Sequence, residues 1–370
     1  MCGRMDAQST LDSSENHLVQ FSIMNDKDDA APLSSLDQEI QTALDEDLIN
    51  AAQVGDSCLV GELLSQGANP LTVSSESPFS TALCAAAYAG SLDCVRLLLA
   101  VSDPKHVGGE GGALSFAAAA GNAECLEWLL PHCDPKAIDQ AGRTPLMDAA
   151  RFGHVECLSL LMSVSDRSAR VKSSGHNIGR NALMMAAASN EPRTGEMIAL
   201  FAAAMSDEEL NATDDNGQTA LMLAVMSAPN QGKEADWGPL LGRADANIRD
   251  ENNATALDLA VAEEWIDDVA RLAPWTDLRA ERVGKHPIAL AAKLGRWEIA
   301  DFLAPLSRRE DADRALAASK GRMPLWLAHV EQEALSRVVA DANERSSNAT
   351  GGEAGEKATV AAAKRAPRSL

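Results

Sequence analysis

A short phrase recurs along this chain at nearly constant spacing, and it constrains the fold more than any other feature. Its fullest copy spans residues 144–154 and reads Thr-Pro-Leu-Met-Asp-Ala-Ala-Arg-Phe-Gly-His. Clear copies begin at Thr81 and Thr219, and weaker copies begin at Glu46, Gly112, Asn181, Thr255, His286 and Met323. By subtraction of these positions, consecutive copies lie 31 to 38 residues apart. Such a period predicts a stacked array of small helical units, each of which packs only on its neighbours.

Within each copy, the order of residue types predicts two helices and a loop. Thr144 can accept hydrogen bonds from the free amides of a helix start, and Pro145 is tolerated in the first turn. Leucine and alanines then form a narrow apolar face, and Gly153 provides the left-handed turn that ends the helix. A second helix follows over 156–162, and polar loops such as 66–70 close the units. We therefore expect an all-α solenoid of about eight or nine repeats.

The composition excludes several classes of partner. The chain has 370 residues, with 32 basic and 54 acidic side chains and a net charge of -22. Phosphate backbones and anionic membranes attract basic surfaces, so we expect no nucleic-acid partner and no membrane binding. No apolar run approaches the roughly 18 residues of a membrane span, so membrane insertion is not expected either.

The cysteines favour a reducing compartment. Cys94, Cys125 and Cys157 each lie four residues after the glycine of their unit, so they occupy one equivalent position three times. Free cysteine is commonly a small buried apolar residue, which is the interpretation we adopt. The number of cysteines is odd, at seven, and none form a Cys-x-x-Cys pair. We expect a cytoplasmic protein without disulfides.

Both ends of the chain differ in composition from the array. We predict an acidic, disordered N-terminal tail over 1–44, the repeat array over 45–343, and a flexible C-terminal tail over 344–370. An enzyme domain needs on the order of 100 residues, which neither tail provides. We therefore expect no enzyme.

No motif for chemistry stands out within the array. His132, Cys133 and Asp134 are adjacent but fall where a loop belongs, and neighbours in sequence rarely align for proton transfer. The glycine-rich stretch 108–112 lacks the lysine and hydroxyl residue of a phosphate-binding loop, so we expect a flexible loop tip. The histidines and cysteines show no zinc spacing. We predict no catalytic residue, no metal, no cofactor and no small-molecule ligand.

The recurring phrase resembles the ankyrin repeat family. The resemblance lies in Thr144-Pro145-Leu146, the paired alanines, Gly153-His154 and the loop 67–70, and it covers about 300 residues. Its alanine- and methionine-rich starts are similar to the arrays of bacteria and protists. The resemblance implies two antiparallel helices and a protruding β-hairpin loop per unit. It also implies protein binding through the loop tips and the concave face of the first helices.

One departure from the family pattern is consistent. The family's histidine after Thr-Pro-Leu is absent. A different histidine, His154, lies at the family's Gly-His position and is expected to be structural. The position is occupied in turn by Cys84, Ser115, Met147, Met184, Met222, Asp258, Ala289 and Trp326. Apolar packing between units is therefore expected in place of the histidine's hydrogen bonds.

Two positions of each first helix are expected to face outward on the concave side. They are the residue after the missing histidine and the residue three further on. Tyrosine, arginine, methionine and other aromatics are enriched at binding hot spots and interface cores, which marks partner-binding candidates. An alternative is that Phe116 and Met185 merely fill gaps between units. The candidates are Tyr88, Phe116, Asp148, Arg151, Met185 and Met226.

The array favours a non-catalytic scaffold or adaptor that binds a protein partner. One alternative is an effector exported into a host cell by a host-associated microbe, and another is a constitutive regulatory or assembly subunit. Two irregular loops, around Pro192 and Trp237, are expected to project from the same edge of the stack. They either form a second surface or represent neutral variation in loop length.

Overall fold

A computed structural model describes residues 35–74, 79–109, 111–172, 178–227, 237–279 and 286–348. The chain divides into two units, 1–43 and 44–370. Of the first unit, only the start of one helix lies among the described residues.

Helices make up almost all of the described secondary structure. Short 3-10 turns lie at Gly238–Leu240, Ala273–Trp275 and Ala304–Leu306, and a hairpin is formed by β1 (Val107–Gly108) and β2 (Gly111–Gly112). The helices are α1 Ser35–Val54, α2 Ser57–Ser65, α3 Ala82–Ala89, α4 Leu92–Leu99, α5 Ala113–Ala120, α6 Ala123–Leu129, α7 Pro145–Arg151, α8 Val155–Leu161, α9 Ala182–Ala187, α10 Thr194–Ala204, α11 Asp207–Leu210, α12 Ala220–Ser227, α13 Ala256–Ala262, α14 Ile266–Leu272, α15 Pro287–Leu294, α16 Trp297–Leu303, α17 Arg309–Ser319 and α18 Pro324–Asn348.

The helices of the second unit stack in two rows. An inner row runs through α3, α5, α7, α9, α12, α13, α15 and α17, each of which packs on the next. An outer row runs from α2 through α4, α6 and α8 to α10, and α16 packs on α18 in the same way. The prediction of an all-α, ankyrin-like helical solenoid is therefore confirmed. The number of repeats stays a prediction.

Small side chains allow the inner helices to approach closely. Four successive inner helices each carry two adjacent alanines that are completely shielded from solvent. Alanine has the best intrinsic helix propensity and leaves room for a neighbouring backbone. The pairs are Ala86–Ala87, Ala117–Ala118, Ala149–Ala150 and Ala186–Ala187.

The helix boundaries follow the predicted capping residues. The hydroxyl of Thr144 accepts a hydrogen bond from the Met147 amide at 3.3 Å. At Thr255 the cap is reciprocal: the Thr255 hydroxyl accepts a hydrogen bond from the Asp258 amide, and the Asp258 carboxylate accepts one from the Thr255 amide. At the other end, Gly90 terminates α3 in the left-handed conformation with φ of 74°. Local sequence therefore sets where the inner helices start and stop.

Side chains of one unit also cap a helix of the unit before it. In three successive junctions, a polar side chain bonds a backbone carbonyl at the end of α1, α3 or α5; we call these bonds the inter-unit caps. They join Ser91 to the Gly55 carbonyl at 3.2 Å, Asn122 to the Ala87 carbonyl at 2.9 Å, and His154 Nε2 to the Ala119 carbonyl at 3.0 Å. The structural role expected for His154 is therefore confirmed.

The glycine beneath His154 gives a stability prediction. Gly121 has φ of +79°, and a Cβ there would lie 2.5 Å from His154 Nδ1. Gly121→Ala should therefore cost about 2 kcal/mol or more of unfolding free energy, because a strained backbone and a clash add. In the double variant Gly121→Ala/His154→Ala the clash is absent. The loss of unfolding free energy in the double variant, measured by urea denaturation, should therefore be smaller than the sum of the losses in the two single variants.

Gly67 provides the matched control for this prediction. Its φ is +95°, but nothing lies within 4 Å of a Cβ built there. Gly67→Ala should therefore cost only the backbone strain, about 1 kcal/mol. Equal losses for Gly67→Ala and Gly121→Ala would show that His154 does not press on Gly121.

The apolar packing expected in place of the family's histidine is found in the middle of the array. Met147, Met184 and Met222 are all buried at this position. Ala289 is exposed, so it does not follow the expectation. Ser115 and Asp258 are buried polar residues there.

The terminal units differ from the sequence prediction. The copy predicted to start an inner helix at Met323 is wrong, because α17 packs on α15 in the inner row and α18 packs on α16. The start of α18 is capped by the buried Asp301 carboxylate, which accepts from the amides of Leu325 and Trp326. Helix α1 begins within the segment predicted as a tail, and α18 runs past residue 343. The domain boundaries as such stay a prediction.

Neighbouring loops are joined through their backbones. The Gln140 amide donates to the Gly109 carbonyl at 3.3 Å, and the Lys172 amide donates to the Ala141 carbonyl at 2.7 Å. Within one loop, the buried Asp139 carboxylate accepts from the Arg143 amide and pairs with its guanidinium. These bonds align the loop tips along one edge of the stack.

Candidate functional site

The inner helices do not expose all of the residues predicted to bind a partner. Asp148 is 5% exposed and Met185 is 4% exposed, so the expectation that they face outward is wrong. Both lie in helices, α7 and α9, that pack between two neighbouring inner helices. Burial of Met185 is consistent with the alternative that this residue packs between units, which stays a prediction.

The second predicted position, three residues further along each inner helix, is exposed in α3, α7 and α12. Tyr88 is 47% exposed and Met226 is 42% exposed, and Arg151 is exposed as well. Phe116 occupies the first of the two positions, equivalent to Asp148 and Met185, but it is half-buried rather than fully buried. The structure therefore leaves Tyr88, Phe116, Arg151 and Met226 accessible on the inner row.

Two of these residues belong to an aromatic cluster formed by Phe79, Tyr88 and Phe116. The ring centroid of buried Phe79 lies 5.1 Å from that of Tyr88 and 5.3 Å from that of Phe116. Tyr88 and Phe116 meet edge to face at 6.4 Å. Sequence reasoning missed Phe79, which precedes the repeat phrase; its only signal is its place two residues before Thr81.

Exposed apolar side chains at the loop tips were also missed. Each follows by four residues an asparagine or aspartate whose Oδ1 accepts the amide hydrogen two residues on, and that turn fixes the tip. The sequence does contain this signal, as the recurring Asn/Asp four residues before an aliphatic side chain. The exposed tips are Val73, Val107 and Ile138, after Asn69, Asp103 and Asp134.

Asp148 lies behind the exposed surface in an unusual electrostatic setting. Burial disfavours its charged form and raises its pKa from 3.8 to about 7. Asp139 adds to the rise, while Arg143, Arg151 and a hydrogen bond with Ser115 oppose it. A carboxyl that titrates near neutrality therefore lies one helical turn from exposed Arg151.

The loop around Pro192 is held down by its own contacts. The hydroxyls of Ser189 and Thr194 are 3.0 Å apart, and Ser189 also donates to the Ala186 carbonyl. Arg193 bridges Glu156 and Glu196 at 2.7 and 2.8 Å. Pro192 itself is exposed.

Trp237 is not part of a second surface. Its side chain is completely buried, and the Arg271 guanidinium lies 3.9 Å from its ring centroid. The rest of that irregular loop, 228–236, lies outside the described residues. Trp237 itself does not project, because it fills the core beside the turn Gly238–Leu240, while the expectation that the loop around it forms a second surface stays a prediction.

The groups considered for catalysis lie in structural positions. Cys133 follows α6 in a turn beside His132, and burial raises the pKa of its thiol to about 12, which disfavours the nucleophilic thiolate. Burial likewise raises the pKa of Cys157, to about 11, and Cys94, Cys125 and Cys157 are all buried as expected. The glycine-rich stretch contributes to the paired strands β1 and β2, and Glu110 lies outside the described residues.

Two searches of the described residues concern other kinds of site. No three histidine, cysteine, aspartate or glutamate side chains among them are grouped as ligands for a metal ion. None of their helices combines the length and the apolar character needed to cross a bilayer.

The two-row stack defines a helical-repeat protein, and comparison with protein families identifies the repeat. A family model for ankyrin repeats matches three overlapping stretches, 48–137, 83–175 and 114–203. Residues 48–203 therefore consist of ankyrin repeats, and the predicted resemblance is confirmed there. Such repeats form a protein–protein interaction module and are generally not enzymes. Comparison with curated proteins finds no match to the chain.

Proposed function

We propose that this protein is a non-catalytic scaffold or adaptor that binds a protein partner through its inner helices and loop tips. Tyr88, Phe116, Arg151 and Met226 are the proposed contact residues. Asp148 and Met185 are buried and contribute indirectly, by packing the inner helices that carry the contact residues. The exposed tips Val73, Val107 and Ile138 border this surface along the loop edge.

The aromatic cluster is the observation that carries the proposal. Nearly half of the Tyr88 side chain is exposed, yet its ring is held by Phe79 and Phe116. A side chain that is already ordered loses little conformational entropy when a partner covers it. Tyrosine is also among the residues that carry most of the binding energy at interfaces. Exposed, rigid aromatic area in an interaction module favours a binding hot spot.

Removing the Tyr88 ring should weaken partner binding with little effect on folding. We expect Tyr88→Ala to cost about 2 kcal/mol or more, the usual size of a hot-spot effect. The measurement is affinity capture with wild type and variant, followed by titration of each captured protein by calorimetry. The helix signal in circular dichroism should be unchanged, because the ring is largely outside the core.

Trp128→Ala is the matched control. Trp128 lies on outer helix α6, is similarly exposed and packs on the Arg96 guanidinium at 4.5 Å. A partner that loses affinity for Tyr88→Ala but not for Trp128→Ala supports the inner surface. If every captured protein binds both variants as tightly as wild type, the proposed surface is wrong. A constant stoichiometric partner would indicate an assembly subunit, whereas exchangeable partners would indicate an adaptor.

A further inference from the structure

The C-terminal end of the array carries a groove whose charge is opposite to that of the chain. It is lined by four arginines and only two glutamates, whereas the whole chain has a net charge of -22. The groove lies between the turn after α16 and the helices α17 and α18, and its volume is about 770 Å³. The arginines are Arg279, Arg308, Arg309 and Arg337.

The basic side chains already surround one carboxylate. Glu333 accepts from Arg309, lies 3.2 Å from His329 Nε2 and 3.8 Å from the Arg337 guanidinium. These contacts lower the pKa of Glu333, although its side chain is partly exposed. The groove therefore has the geometry to hold carboxylates in place through charge-assisted hydrogen bonds.

Trp326 is part of the lining of the groove. It is only 5% exposed. The Arg309 guanidinium lies over the Trp326 ring, 5.4 Å from the ring centroid. The Trp326 indole Nε1 has no acceptor among the described residues. A buried donor without an acceptor costs free energy, so an oxygen ligand that reached Nε1 would be favoured.

We propose that this groove binds an acidic peptide segment of a partner protein. A single phosphate or carboxylate would occupy a small part of its volume, whereas several residues of an extended chain would fill it. Arginine forks match carboxylate geometry, and the Trp326 ring adds apolar area for the peptide backbone and side-chain stems. The site is far along the chain from Tyr88 and does not depend on the function proposed for the inner surface.

The test uses the full chain and a fluorescein-labelled hexaglutamate peptide, with hexaglutamine as the uncharged counterpart. We expect saturable fluorescence anisotropy for hexaglutamate alone, weakening as salt is added. Because the protein is strongly acidic, its net charge repels this peptide, so saturable binding would indicate a local basic site; absence of saturable binding would overturn the proposal. Displacement of the peptide by an equal concentration of inorganic phosphate would also overturn it, in favour of a small-anion site.

Charge reversal locates the site. Arg308→Glu and Arg337→Glu should each weaken hexaglutamate binding about tenfold, because a favourable contact becomes a repulsive one. Arg314→Glu is the matched control: Arg314 is exposed on α17 and pairs with Glu310, but it does not line the groove. An equal loss with Arg314→Glu would show that only the general field of the chain is being measured, and would overturn the proposal.

Trp326→Phe tests the indole donor separately. The ring remains under Arg309, so the helix signal should be kept, while hexaglutamate binding should fall several-fold if Nε1 donates to the ligand. Unchanged affinity in this folded variant would remove Trp326 from the site. Unchanged affinity in Trp326→Phe, Arg308→Glu and Arg337→Glu together would refute the groove.

Discussion

Asp148→Asn should stabilise the folded protein at pH 8 by up to about 4 kcal/mol, the largest effect we expect from a single polar substitution. Burial raises the pKa of Asp148 from 3.8 to about 7, a shift of roughly three units. Each unit corresponds to about 1.4 kcal/mol of difference between the protonation states. An asparagine carries no charge at any pH, so the variant avoids the cost of ionising a buried carboxyl.

The sign of the pH dependence follows from the direction of this shift. Between pH 3.8 and about 7 the folded state holds the Asp148 proton while the unfolded state releases it. The contribution of Asp148 to stability is therefore fully present below pH 3.8 and is lost as the pH rises through about 7. Wild type should lose stability over this window relative to Asp148→Asn, as measured by urea denaturation at pH 5 and pH 8.

Asp93→Asn serves as the control for Asp148→Asn. The Asp93 side chain is 76% exposed and lies 3.9 Å from Arg96, so its removal should change stability by well under 1 kcal/mol. It should also leave the pH dependence of wild type intact. If Asp148→Asn and wild type show the same dependence on pH, Asp148 does not titrate near neutrality.

Trp237→Ala should destabilise the protein by about 3–5 kcal/mol, the range for deleting a buried large aromatic side chain. Trp237 is completely buried, and the Arg271 guanidinium packs on its ring. Truncation leaves a cavity where α10 packs on the turn Gly238–Leu240. Thermal unfolding followed by circular dichroism measures the loss.

Trp237→Phe separates packing from the cation–π contact. Phenylalanine keeps an aromatic face for Arg271 and fills most of the volume, so it should lose about half as much stability as Trp237→Ala or less. The exposed Trp128→Ala should cost at most about 1 kcal/mol. A cost for Trp237→Ala as small as that for Trp128→Ala would contradict the burial of Trp237.

Sequence predicted the array well because its signals are local. The capping threonines, the alanine pairs and the terminal glycines act within one unit, so their effect can be read without knowing the neighbours. Burial of Asp148 and Met185 depends on the adjacent units, and periodicity within a single helix could not reveal it. The position of Trp237 was missed for the same reason, since the loop before it gives no helix to place it.

The ends of the array were harder to predict than its middle. Helix α17 is largely polar and lacks the repeat phrase, while Met323-Pro324-Leu325 imitates the start of an inner helix. The aromatic cluster joins Phe79 to two different inner helices, and the C-terminal groove joins residues from the loop at Arg279 to those of α18. Such contacts between separate elements leave no periodic trace.

The inter-unit caps have a consequence for synthesis of the chain. Each cap joins a carbonyl to a side chain 35 or 36 residues further along, so the later residue completes the earlier helix. A chain made from its N-terminus leaves the ends of α1, α3 and α5 without these inter-unit caps until the next unit has emerged. Folding on the ribosome should therefore trail translation by one unit, and slow translation immediately after a unit would prolong the time for which its inner helix stays open to proteases.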